Sequence, residues 1–370
     1  MPVKNQKKIV LAGGGTAGHI EPALAVGRWI QENYPECAIT FLGTKSGLET
    51  QLIPSAGFRL ALIEKAPLPR SLSLSTFLWP IRFVRSIRQA GAELDGASIL
   101  IGFGGYVASS AYLAARIKRV PILVHEANAL PGWANSLGLR MGGKGMVGFR
   151  STLAVNALWD SATYVGIPLR SEILHAADLS LPERKDVRNR KAKEWNFNAE
   201  RPIVLVFGGS QGSRHINDVI SASKGLIARS GIQVVHAVGK KNDLPDASAG
   251  YTPVHYFTDL HEAYIAADLV ISRSGAVTCH ELAAVNRYSV LVPLPIGNGE
   301  QRFNGQMLVD AELATVVSDS EFTKEWLSDH LLGLVARGKK LTEGVPHPRV
   351  PLNAVELMGE LIKREIGEGV

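Results

Sequence analysis

What most constrains the fold of this chain is a repeated succession in which a short β-branched run ends in glycines that open into a helical pattern. Ile9 to Ala12 meets Gly13, Gly14 and Gly15, and Ile203 to Phe207 meets Gly208 and Gly209. A strand handed to a helix through a glycine turn is the building unit of a parallel sheet covered on both faces. Further runs at Ala38 to Leu42, Ile99 to Gly102, Pro121 to Val124, Gln233 to Ala237, Leu269 to Ser272 and Ser289 to Val292 complete two sets of strands. The expected fold class is α/β, with two doubly wound, Rossmann-like domains facing a cleft. A length of 370 residues also exceeds what one hydrophobic core usually serves.

The boundary is expected near Pro168, giving domains at 1–168 and 169–349. Ser180 to Trp195 carries eight charges between Glu183 and Lys193 with almost no apolar residues, and reads as a solvated connection. Val350 to Ile366, with apolar residues at Val355, Leu357, Met358, Leu361 and Ile362, reads as a helix. Periodicity alone does not tell which domain holds it.

Several classes fall away. Hydrophobic residues at 46% and charged residues at 20% exclude a disordered chain. Lys4, Lys7 and Lys8 precede an apolar run as in a signal peptide, but the run stops at Ala12. Gly96 to Ala115 is uncharged and long enough to span a bilayer, yet Gly102, Gly104 and Gly105 break it, so a strand, a turn and a helix fit better. Cys37 and Cys279, far apart, form neither a disulfide framework nor a metal pattern, which points to a reducing compartment. A net charge of +6 favours phosphates or an anionic surface as partners.

Glycine turns let the backbone approach a ligand, and the helix that follows offers N–H groups and positive dipole to phosphate. Gly13, Gly15 and Gly18 satisfy the dinucleotide spacing G-x-G-x-x-G, but Phe41, Leu42, Gly43, Thr44 and Lys45 supply no acid to hold a ribose. A dinucleotide enzyme is therefore disfavoured, and no P-loop motif occurs. Gly102 to Tyr106 and Arg273 to Ala276 form further turns at strand ends, where open α/β sheets bind ligands. Glu281 follows on a helix. Its plain reading is a first-turn acid complementing the helix dipole.

Together these strings resemble the MurG family of GT-B glycosyltransferases. The matching residues are Gly14-Gly15-Thr16-Ala17-Gly18-His19, Gly104-Gly105-Tyr106-Val107, His125-Glu126-Ala127-Asn128, Gly166-Ile167-Pro168-Leu169-Arg170, Gly208 to Gly212, Arg273 to Thr278 with Glu281, and Gly299-Glu300-Gln301 with Asn304. They run in family order along nearly the whole chain. The chain departs from the family at Glu21, at Ser109 and Ser110, and at Asn286, where the usual residue is glycine and where asparagine tolerates a left-handed helix end.

The resemblance implies inverting transfer of N-acetylglucosamine from UDP-GlcNAc to the C4 hydroxyl of lipid I, the undecaprenyl-diphospho-N-acetylmuramoyl-pentapeptide, giving lipid II for peptidoglycan. It places the donor mainly on the C-terminal domain and the acceptor on the N-terminal one, with the helix at 350–370 packing back on the latter. Glu281 would accept hydrogen bonds from ribose hydroxyls. Ser210 and the N–H groups beside Gly209 and Gly275 would hold the diphosphate, and the backbone at Thr258 would read uracil. Gln301 and Asn304 would read sugar hydroxyls, and Arg170 would add a cation near the phosphates. Substrate contacts are further implied at Thr16, Ala17, Gly18 and Asn128, and along Ala276, Val277, Thr278, Cys279 and His280.

Inversion needs a base for the acceptor hydroxyl. His19, at a helix start whose positive dipole end suits a neutral ring, is the expected base, with Glu126 its rival. No D-x-D string demands a metal, and Asp319-Ser320-Glu321 reads as a loop, so no cofactor is required, while stimulation by Mg²⁺ stays compatible with this. Leu72, Leu74, Phe77, Leu78, Trp79, Ile81, Phe83 and Val84 are interleaved with Arg70, Arg82, Arg85 and Arg88. This pattern is expected to meet the anionic inner leaflet, as a peripheral protein on the cytoplasmic face of the bacterial membrane. A core helix with solvated arginines is the alternative. A UDP-GlcNAc 2-epimerase or another sugar-nucleotide enzyme would share the architecture, and a non-catalytic module for nucleic acid or anionic membrane would use the charge alone.

Overall fold

The computed structural model describes residues 7–15, 17–66, 74–209, 211–296 and 298–367, with the backbone alone at 17 and 74–78. The chain divides into two compact units, one built from 1–170 with 351–370 and the other from 171–350. The divisions fall at 170/171 and 350/351, against the expected 168/169 and 349/350.

The first unit holds a parallel sheet of seven strands among the described residues: β1 (Lys8–Gly13), β2 (Ala38–Gly43), β3 (Arg59–Leu62), β4 (Ala97–Gly104), β5 (Ile122–Glu126), β6 (Lys144–Val147) and β7 (Thr163–Tyr164). Their spatial order is β3-β2-β1-β4-β5-β6-β7. The second unit holds β8 (Ile203–Phe207), β9 (Gln233–Ala237), β10 (Tyr251–Val254), β11 (Leu269–Ser272), β12 (Ser289–Leu291) and β13 (Ala314–Val316) in the order β10-β9-β8-β11-β12-β13. In each sheet the order reverses beside the first strand, at β1/β4 and at β8/β11. Crevices open at such points, beyond the carboxyl ends of the strands.

Central strands read as unbroken apolar runs because helices cover both faces. Ile9 and Leu11 enter one cluster with Ile20, Leu24, Val26 and Phe41, while Val10 and Ala12 enter another with Val107, Ala111 and Tyr112. A third cluster, including Val204, Val206, Leu269 and Ile271, fills the second unit. The uncharged run from Gly96 to Ala115 folds as β4 and the helix Gly105–Lys118. The helix Ala354–Ile366 brings Met358 and Ile362 into the core of the first unit, against Trp29.

Ser180 to Trp195 is not a solvated connection. It is the helix Leu181–Glu194, opened by a capping box between Ser180 and Glu183. Arg184 and Lys191, 4% and 1% exposed, do the burying that apolar residues usually do. Arg184 donates to the carbonyls of Leu179, Ala176, Ala177 and Val285. Arg188 reaches Asp268 at 2.9 Å, and Lys191 pairs with Asp259 and Glu194. Charged stems with satisfied heads thus make an inward face that hydropathy does not register.

Candidate active site

In the first unit the predicted residues converge on the carboxyl ends of three neighbouring strands, β1, β4 and β5. The helix Ala17–Asn33 begins just after the β1 turn, so His19 falls in its first turn. The ring is partly exposed, and its Nδ1 lies 3.2 Å from the Gly14 carbonyl. A carbonyl only accepts, so this nitrogen donates and carries the proton. Gly104 and Gly105, with φ of 98° and 80°, pass beneath the imidazole. A Cβ at Gly104 would lie 3.3 Å from His19 Nε2, and one at Gly105 would lie 2.8 Å from the Gly14 oxygen. Glycine at 104 thus leaves room for His19 and Asn135, and glycine at 105 for the Gly14 carbonyl.

Glu126 ends β5 and is 3% exposed. Its Oε1 accepts from the Asn128 backbone at 2.9 Å and side chain at 3.3 Å, and its Oε2 accepts from Gly132 N and Asn135 Nδ2, both at 2.9 Å. Asn135 also donates to the His125 carbonyl and accepts from Tyr112. Burial, and after it the charge of Glu126, pushes the Tyr112 phenol well above its ordinary pKa, which keeps it a donor. Four N–H groups spend the carboxylate of Glu126 on shaping the loop to Asn135. Asn128 sits partly exposed on that loop.

In the second unit, turns leave β8, β11 and β12. The helix Ala276–Val285 starts at Gly275, which has no side chain to cap it, so its first-turn N–H groups lack the side-chain partner that a polar N-cap would supply. Glu281 lies in the second turn of this helix, not the first, so the reading as a dipole-complementing acid does not hold. It is 3% exposed, and its Oε2 accepts from the Tyr264 hydroxyl at 2.9 Å. Val277 and Thr278 are partly exposed, Ala276 is nearly buried, and Cys279 and His280 are fully buried. His280 Nδ1 turns back to the Ala276 carbonyl, and burial pushes the Cys279 thiol far up in pKa. The side chains of these last two serve the core.

Thr258 is exposed beside Asp259, which Lys191 holds. Gln301 and Asn304, on the helix Glu300–Asp310, are engaged with backbone: Gln301 Oε1 accepts from Leu294 N at 3.1 Å, and buried Asn304 donates to the Ser274 carbonyl at 3.3 Å. Arg170 is partly buried at the end of the first segment. Thr16, Arg70, Leu72 and Ser210 lie outside the described residues, as do the side chains of Ala17, Leu74, Phe77 and Leu78. Gly18 is partly buried in the first helix turn.

Sequence reasoning missed Arg273 as an organiser. Its guanidinium joins Asp319, the Ser213 hydroxyl and the carbonyls of Val292 and Pro293, tying three turns together. An arginine following a strand end was visible, but its partners are up to 60 residues away. Among the described residues no cluster of three or more His, Cys, Asp or Glu side chains is placed to hold a metal ion, and no helix is long and apolar enough to cross a membrane.

On the helix Leu74–Glu93, Ser86 and Ala90 face inward while Ile81 and Val84, 61% and 47% exposed, face out with Arg82, Arg85 and Arg88. The apolar residues of this segment therefore do not all belong to the core.

Residues 9–142 match the model of the glycosyltransferase family 28 N-terminal domain, and residues 203–347 match that of the C-terminal domain. A UDP-N-acetylglucosamine–N-acetylmuramyl-(pentapeptide) pyrophosphoryl-undecaprenol N-acetylglucosamine transferase of Corynebacterium efficiens is 44% identical over 90% of this chain and 89% of its own. The enzyme of the same name from Frankia casuarinae is 42% identical over 95% of both chains. Among solved structures, MurG of Acinetobacter baumannii superposes with a TM-score of 0.70 at 26% identity, covering 97% of this chain and 99% of that one. A UDP-N-acetylglucosamine 2-epimerase from Listeria monocytogenes gives 0.65 at 12% identity, over 98% and 97%, a likeness of fold alone.

Proposed function

This chain belongs to glycosyltransferase family 28, and on that premise we propose that it is the transferase that moves N-acetylglucosamine from UDP-GlcNAc onto lipid I to give lipid II. The observation that carries the reading is identity above four residues in ten with transferases of that name over nine tenths of the chain. The epimerase alternative has only the shared fold.

The chemistry divides between the units. In the first, His19 takes the proton of the C4 hydroxyl. With Nδ1 donating to the Gly14 carbonyl, Nε2 is the nitrogen with a lone pair for that step. The saturated hydrogen bonding of Glu126 supports His19 over it, and in this reading Glu126 shapes the acceptor loop around Asn128. In the second, Glu281, oriented by Tyr264, receives the ribose hydroxyls. The first-turn amides at Val277 and Thr278 stabilise the diphosphate as it departs, Thr258 reads the base, and Gln301 and Asn304 approach the sugar. The lipid-borne acceptor is met at the anionic cytoplasmic leaflet by the face carrying Ile81, Arg82, Val84 and Arg85.

Incubating the protein with UDP-GlcNAc alone and then with a lipid-linked muramoyl pentapeptide tests the activity. UDP should appear only when both are present. Conversion of the donor alone to its C2 epimer would transfer the chain to the epimerase reading.

A further inference from the structure

Glu49 is a buried acid for which the reaction so far has no task. It is fully buried at the first position of the short helix Glu49–Ser55, and a carboxylate out of water must be surrounded by donors. Its Oε1 accepts from the Thr44 backbone at 3.1 Å and the Thr44 hydroxyl at 3.0 Å, and its Oε2 accepts from Gly15 N at 3.2 Å. The Thr44 hydroxyl in turn lies 3.2 Å from the Tyr106 phenol. A Cβ at Gly43 would come within 2.8 Å of the Glu49 side chain, one at Gly14 within 3.1 Å of Oε1, and Gly47 has no room for one. Two glycine loops therefore close on this one carboxylate.

Gly15 N–H and Gly14 C=O belong to the same peptide group, and in a trans peptide they point in opposite directions. The N–H is given to Glu49, and the carbonyl faces His19 Nδ1 at 3.2 Å. A single peptide plane therefore links the buried acid to the base. A carboxylate on the N–H side polarises the peptide and strengthens the carbonyl as an acceptor. It also occupies a donor that a strand–glycine–helix turn would otherwise offer to phosphate, so the first glycine turn differs in purpose from the second.

We infer that Glu49 is a positioning residue for the transfer, fixing the orientation and tautomer of His19 through the Gly14–Gly15 peptide. The inference rests on His19 as the base, and the two are tested separately. Turnover of a short-chain lipid I analogue is measured for wild type, Glu49→Gln, His19→Ala and the double variant. Glu49→Gln should lower kcat on the order of 10-fold to 100-fold, as loss of an orienting partner does, with the KM for UDP-GlcNAc within about twofold of wild type. In the His19→Ala background the same substitution should change kcat by less than about twofold, since no base remains to be held.

Equal losses in both backgrounds would make Glu49 merely structural and overturn the inference while leaving the base reading intact. A near-normal rate for His19→Ala alone overturns the base reading and this inference with it. Imidazole ¹⁵N shifts of the wild-type protein give a measurement that needs no variant to fold. His19 should carry its proton on Nδ1, and a proton on Nε2 overturns the link.

Discussion

His19 and Glu126 compete for one task, and their hydrogen bonds separate them. The carboxylate of Glu126 is closed in by four N–H groups, whereas His19 has one nitrogen donating to the Gly14 carbonyl and a partly exposed ring. His19→Ala should therefore keep UDP affinity and lose about 10² to 10⁴ in kcat, and the acidic limb of its kcat/KM profile should flatten. If that limb persists in His19→Ala and vanishes in a Glu126→Gln protein of unchanged melting temperature, the base is Glu126. For Glu281→Ala, calorimetry should show weaker UDP binding, by about 1.5 to 3 kcal/mol for each hydrogen bond to the carboxylate that is lost. Unchanged affinity in a folded variant would remove Glu281 from the donor site. The motif residues were legible because glycine, histidine and acid at strand ends are distinctive. Glu49 was not: it lies six residues beyond the end of β2 and looks like any acid opening a helix, and only the folded chain shows Gly15 donating to it.

Elements were legible where burial is apolar. The eight strands read from β-branched runs lie inside their sheets, none at an edge, while β3, β6, β7, β10 and β13, at or next to the sheet edges and two to four residues long, were not read because one face or one end meets solvent. The helix Leu181–Glu194 departed from the rule, since Arg184 and Lys191 share its inward face with only Val187 and Ala192. The helix Leu74–Glu93 presents the converse case, apolar residues turned outward. Replacing Ile81 and Val84 together by Asp should lower binding to vesicles containing anionic lipid by roughly tenfold or more, from the loss of buried apolar area, with turnover of a soluble acceptor near normal. Equal loss on soluble and membrane-borne acceptors, or a fall in melting temperature, would instead mark this face as structural.

At the scale of the whole molecule, pH should act on stability through the second unit. His236 is buried, with Nδ1 3.0 Å from the Tyr251 hydroxyl and Nε2 3.1 Å from Asn217 Oδ1. One neutral tautomer satisfies both, and burial, with the Lys224 charge second, lowers its pKa from 6.5 to about 4. Burial also raises the Tyr251 phenol to about 12, so it stays a donor. Between these two histidine values the unfolded chain binds the extra proton, so stability is fully present above pH 6.5 and is lost as pH falls toward 4. The loss by pH 4.5 should be on the order of 2 to 3 kcal/mol. Denaturant titrations should show this slope, and His236→Gln should reduce it; a slope unchanged by the substitution would place the acid sensitivity elsewhere. A different consequence follows from the helix Ala354–Ile366, whose Met358 and Ile362 lie in the core of the first unit and whose Gly359 lets the Trp29 ring close against the backbone. During synthesis the ribosome delivers these side chains only after every residue of the second unit, so the unit begun first is the one completed last. Until then the nascent chain carries an open hydrophobic seam beside Trp29, and the second unit, continuous in sequence, can reach its native state ahead of it.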